Sequence, residues 1–208
     1  VDEFEKFKID SISENYLKSL RRRKVNYNAY GWTRLVEMFE RANFKEPKMQ
    51  FLLAKAREEK MRSEEHYVVS CLMRAYYDQV VERRTLASKK KLSHLGKLYT
   101  AYLKENDKAP KDLETLLTDK AARFGMDPLT GDMCQWVFVG QGPAEIRGVN
   151  RYRLVAYASF PSGKQLAYRW VVYKGGQLGT WKKQTLLAAV QKMESGNVLA
   201  AQPQIAAM

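Results

Sequence analysis

Apolar residues follow two regimes along this chain. Up to about residue 105 they recur every three or four positions, the period of a helix with one buried face. From about residue 135 they gather in short runs between turn residues, the texture of β-strands.

Ile12, Tyr16, Leu17 and Leu20 form the first helical face. Ser11-Ile12-Ser13-Glu14 opens it as a capping box, with the serine hydroxyl accepting a backbone N–H and the glutamate reaching back. The segment runs into Arg21-Arg22-Arg23-Lys24, where cations suit the negative end of the helix dipole, and Asn26, Asn28 and Gly31 break it. A second helix is expected from Trp32 to Ala42, with Trp32, Leu35, Val36, Phe39 and Ala42 inward, ending at Asn43 before Glu46-Pro47. From Pro47 to Asn106 there is one glycine, Gly96, and no further proline. Phe51, Leu52, Ala56, Val68, Leu72, Ala75, Tyr76 and Val80 keep a helical spacing that fits one very long helix or several. Ser63 and Ser88 are candidate N-caps, and the run Thr85 to Lys91 favours a split at 85–91. The helix expected after that split, about 88–105, buries Leu92, Leu95, Leu98, Tyr99, Tyr102 and Leu103.

Asn106 to Pro110 reads as a turn, Asp112 to Leu117 as a short helix, and Asp127-Pro128-Leu129-Thr130-Gly131-Asp132 as a second turn. Strands are expected at Gln135–Val139, Tyr152–Ser159 and Ala167–Tyr173, then Gly175-Gly176 as a hairpin turn and a short strand at 179–181. A helix over Lys183–Lys192 closes the fold, and 195–208 reads as a frayed tail. Connections this short force antiparallel pairing. The expectation is α+β: a helical region at 1–87, then a domain at 88–194 with a long helix on a small antiparallel sheet, then the tail.

Composition adds charge. Lys and Arg number 36 against 23 Asp and Glu, a formal +13, of which 1–125 carry +8 and 126–208 carry +5. A field of that sign attracts polyanions or simply keeps the protein soluble. The densest clusters are Arg21, Arg22, Arg23 and Lys24, then Arg83 and Arg84, then Lys89, Lys90 and Lys91. With Tyr27, Tyr30 and Trp32 as stacking rings, they suit nucleic acid, as in a ribonucleoprotein or DNA complex. A solvated helix end is the more common explanation for such runs. No homeodomain, zinc-finger or RNP sequence accompanies them.

Catalytic and metal chemistry find little footing. His66 and His94 are the only histidines, and neither stands in a nucleophile–base motif. Cys71 and Cys134 are isolated, so zinc and thioredoxin-like chemistry are not expected; a disulfide and two buried thiols both remain open. Asp127 and Asp132 read as turn residues rather than calcium ligands. Gly140-Gln141-Gly142-Pro143 and Gly175-Gly176 lack the helix that follows a phosphate loop. No enzyme, cofactor or metal is expected. No run is long enough to span a bilayer, no signal peptide is visible, and Val1 reads as a processed or trimmed start.

Several segments together resemble bacterial pseudopilins and related pilin-like proteins. They are Leu92-Ser93-His94-Leu95-Gly96-Lys97-Leu98-Tyr99-Thr100-Ala101-Tyr102, then Glu105 to Pro110 with Leu113. Asp127 to Gly131 leading into Trp136-Val137-Phe138-Val139-Gly140 follows, and the end is Leu154 to Tyr157, Gly175-Gly176 and Trp181. The likeness covers about 88–192. Missing are the processing-site glycine, the glutamate near the mature N-terminus, the apolar first helix, and an aspartate–glycine pair before the last strand, where Gln177-Leu178-Gly179 stands. The resemblance implies a structural subunit of a type II secretion or type IV pilus-like filament system in the cell envelope, periplasmic or extracellular. It would act through contacts with other proteins or with its own copies. Trp136, Phe138, Tyr157, Trp170 and Trp181 are then candidates for core or interface.

Overall fold

The computed structural model describes residues 29–44, 47–58, 63–117, 119–140, 146–147, 153–163 and 165–195. The capping-box helix at Ser11–Lys24, and the tail beyond Ser195, lie outside them. By their contacts the described residues fall into two compact units, bounded as Val1–Glu82 with Leu129–Gly131 and Arg83–Pro128 with Asp132–Met208.

In the first unit, α1 (Ala29–Arg41), α2 (Pro47–Ala56) and the opening turns of α3 (Ser63–Asn106) share one apolar core. Leu35, Phe39, Phe44, Met49, Leu52, Leu72 and Tyr77 fill it. Phe44 meets Phe39 edge-on, with ring centroids 4.8 Å apart, and meets Tyr77 in the same way at 6.3 Å. Asn43 ends α1 in the left-handed region (φ 47°), which asparagine tolerates better than most residues.

The second unit is α+β. Among the described residues five antiparallel strands pair in sequence order: β1 (Phe124–Met126), β2 (Met133–Phe138), β3 (Leu154–Ser162), β4 (Gln165–Tyr173) and β5 (Leu178–Lys182). A four-residue helix α4 (Leu113–Leu116) and a 3-10 turn (Lys120–Arg123) precede them, and α5 (Lys183–Glu194) follows. Asp112 caps α4, its carboxylate accepting the Thr115 N–H at 2.6 Å and the Thr115 hydroxyl at 2.7 Å. These bonds hold its pKa below the usual aspartate value.

Strand alternation sorts the apolar side chains onto two faces. Trp136, Ala158, Trp170 and Val172 join Leu92, Leu95 and Tyr99 of α3 on one side. Val137, Tyr157, Val171 and Trp181 join Leu186, Ala189 and Val190 of α5 on the other. The sheet is therefore covered by a helix on each face. A register shift between Leu154 and Ala156 lets the neighbours Val155 and Ala156 both face α3.

The helix split expected at 85–91 is absent: α3 runs unbroken for 44 residues. Ser88, read as an N-cap, sits inside it, and its hydroxyl donates to the Met126 carbonyl (2.8 Å) and accepts the Met126 N–H (3.0 Å). A hydroxyl satisfied by another strand does not compete for the helix backbone, so nothing interrupts the ladder. Strand β1, like the 3-10 turn at Lys120–Arg123 before it, has no counterpart among the elements expected from the sequence. Three residues show no alternation, and its glycine, Gly125, lies so close under the Trp136 ring that a Cβ there would fall 2.0 Å from the indole.

One contact seats α3 on the sheet. A Cβ at Gly96 would stand 2.6 Å from the Tyr173 carbonyl oxygen and 2.8 Å from the Gly176 Cα. Around this approach, Ser93 Oγ donates to the Gly176 carbonyl at 2.7 Å, and the Gly175 N–H donates to Thr100 Oγ1 at 2.8 Å. At an ordinary helical position, Gly→Ala stabilises by about 1 kcal/mol. At Gly96 the added methyl meets backbone, so G96A is expected to lose about 1–3 kcal/mol in urea unfolding. The reverse change A101G, at an exposed position of the same helix, should cost about 1 kcal/mol. A stabilised G96A would show that the approach is looser than described.

Candidate functional site

Among the described residues, the basic side chains singled out from the sequence divide rather than form one cluster. Arg21, Arg22, Arg23 and Lys24 lie outside the described residues, as do Tyr27 and the side chain of Tyr30. Arg83, Lys90 and Lys91 are exposed on α3, while Arg84 and Lys89 are half-buried. The triplet at 89–91 divides because successive helical residues point about 100° apart. Lys89 turns toward the sheet, its ammonium 4.5 Å from the centre of the Trp170 ring. Lys91 reaches toward the carbonyls of Ala121 (3.5 Å) and Phe124 (3.4 Å), while Lys90 faces solvent. Trp32, proposed as a stacking ring, is half-buried against His66, with centroids 3.8 Å apart.

The aromatics divide as well. Trp136, Tyr157 and Trp181 are at most 7% exposed and belong to the core, so they offer no surface to a partner. Phe138 and Trp170 are half-buried. Trp136 Nε1 donates to the Ala122 carbonyl at 3.1 Å, and Trp181 Nε1 donates to the Tyr173 hydroxyl at 2.8 Å. These polar tips are satisfied inside the fold, as buried indoles require. The apolar side chains that do reach solvent were missed: Leu166 at 65%, together with Met133, Leu86 and Leu187 in this unit. Met133 and Leu166 stand at strand beginnings, where alternation gives no strong indication of which face a side chain takes.

The chemistry available is sparse. A cavity of about 260 Å³ is lined by Lys91, His94, Leu95, Leu117 and Asp119. Its carboxylate, Asp119, accepts the Ala121 N–H at 2.8 Å as a cap to the 3-10 turn. Asp127 and Asp132 close their turn through the main chain, the Asp127 N–H donating to the Asp132 carbonyl at 2.8 Å. Among the described residues no three His, Cys, Asp or Glu side chains converge as metal ligands. No described helix is long and apolar enough to cross a membrane. Burial lowers the His66 pKa.

Compared with protein-family models, curated proteins and solved structures, the chain finds no match in any of the three.

Cys71 and Cys134 are both free thiols, the first buried and the second half-buried. Burial pushes both pKa values up, and the carboxylates of Asp127 and Asp132 add to the rise at Cys134. A raised pKa leaves less thiolate at neutral pH, and the thiolate is the reacting species. In the native protein, disulfide-exchange labelling at pH 8 should modify Cys134 slowly and Cys71 only as the protein unfolds. Rapid labelling of Cys71 would contradict its described burial.

Proposed function

We propose that this chain is a non-enzymatic structural protein, a pilin- or pseudopilin-like subunit of a secretion or surface-filament system. Its second unit would serve as the head, working by protein–protein contacts. The observation that carries the reading is the long helix α3 seated through Gly96 on a small antiparallel sheet, at the positions that carry the sequence resemblance. In support, the Leu92–Tyr102 pattern is the part of α3 that meets the sheet, and Gly175-Gly176 forms the turn against which Gly96 rests. Exposed Leu166, Met133 and Leu187 offer apolar area for contacts between subunits. A cell-envelope location follows from the same reading.

The alternative is a basic component of a nucleic-acid complex, which draws on net charge. Salt separates the two, because phosphate contacts release counterions whereas apolar contacts do not weaken as salt rises. Sedimentation velocity over a range of protein concentrations should show self-association that persists at high salt. Binding to generic duplex and single-stranded nucleic acid, followed by anisotropy, should be weak at physiological salt. A monomer at every concentration, with tight salt-sensitive nucleic-acid binding, would replace the assembly reading with the alternative.

A further inference from the structure

The part of α3 that lies on the sheet carries a second pattern on its outer face. From Arg83 to Lys104 the sequence holds seven basic residues and no acidic one. Four of them, Arg83, Lys90, Lys97 and Lys104, recur every seventh position, and all four are exposed. On a helix that spacing makes a nearly straight row, with steps of about 10.5 Å and a length of about 31 Å. Ala87, His94 and Ala101 fall between them, also seven apart and also exposed. The combined interval alternates four and three, the seam of a helix that packs along another helix. In an ordinary coiled coil that seam is apolar. Here one of its two positions is always a cation and the other is Ala or His.

Exposed Glu82 and Glu105 flank the row at its two ends, and no acidic residue lies within it. The ion pairs Arg41–Glu37, Lys55–Glu58, Arg57–Glu40 and Arg123–Glu114, among the described residues, do not involve the row. The stem of Lys97 passes beside Gly176, so the hairpin borders the row without covering it. Leu86, 48% exposed, adds an apolar edge to the same face.

We propose that this seam docks an acidic α-helix from a partner protein, with Asp or Glu repeating every seven residues opposite the four cations. Small side chains at 87 and 101 would let the two backbones approach. Two observations favour a helix over nucleic acid. The phosphates of a duplex wind around its axis, so a straight row of this length meets them over only part of its run. Single strands are held by stacking, and no aromatic in this unit is exposed among the described residues. The seam is a property of the surface of α3, present whether or not the head assembles as a pilin does.

The test uses the full chain and labelled peptides, followed by anisotropy. One peptide is an alanine-rich helix of four heptads with glutamate at every seventh position. The second has the same composition with the glutamates scattered. The first should bind at least about tenfold more tightly than the second, a difference that charge alone does not give. The variant R83E/K90E/K97E/K104E, and the milder R83Q/K90Q/K97Q/K104Q, should each weaken it by about tenfold or more. The control K174E/K183E, at exposed sites away from the seam, should change it by less than about twofold. Circular dichroism confirms that each variant is folded. Equal binding of the two peptides, no binding of either, or tighter capture of a duplex that the same variants abolish would each overturn the proposal. Self-association measured without peptide reports on the pilin-like reading separately, so the two can fail independently.

Discussion

The second unit depends on how closely a helix can approach a β-hairpin when neither side carries a side chain at the contact. Gly96 of α3 and Gly176 of the β4–β5 turn meet at that point, with the Tyr173 carbonyl beside them. Gly175 and Gly176 have positive φ (92° and 87°), which glycine adopts without strain. The Gly176 N–H donates to the Tyr173 carbonyl at 2.9 Å, closing the turn that faces the helix. Ser93 and Thr100, one turn to either side of Gly96, then bind the hairpin backbone. A glycine in mid-helix costs about 1 kcal/mol of intrinsic stability. The two side-chain bonds and the packing that the approach permits offset that cost.

With α3 seated there, the rest of the unit follows. Leu92, Leu95 and Tyr99 are brought over Trp136, Ala156 and Val172, and Ser88 arrives beside β1 to satisfy both polar groups of Met126. Tyr99 donates to the Gly140 carbonyl at 3.0 Å, which also accepts from Arg153 Nη2 at 2.9 Å, tying the end of β2 to the helix. The face of α3 turned away from the sheet is left to solvent, and there the cations accumulate. Burial and charge are thus divided by one helix at the same residues.

The strands could be read from the sequence because a sheet covered by a helix on each face gives short, nearly continuous apolar runs bounded by turn residues. Val171 and Val172 point to opposite cores, and so do Trp136 and Val137. The Gly175-Gly176 turn was equally legible, since few other residues fit its backbone. The continuity of α3 was not. Ser88 and the lysines after it have the composition of a helix start, and only the neighbouring strand, brought there by the chain 38 residues later, gives the serine another partner. The site was read less well than the fold. Lys89, Lys90 and Lys91 look like one cluster in a line of text, and a helix sends them in three directions. Trp136, Tyr157 and Trp181 carry no sign in the sequence of whether they face a partner or a core, because burial depends on which helix covers each face.

Seated through Gly96, α3 from Arg83 onward and the β4–β5 hairpin should behave as one cooperative body that presents the outer face of the helix. Native-state amide hydrogen exchange followed by NMR tests it most directly. The amides of 95–99 on α3 and 171–173 on β4 should open with the same free energy and the same dependence on denaturant, as parts of one unfolding unit. Exchange of the hairpin amides through a separate, smaller opening, while the helix stays protected, would contradict it.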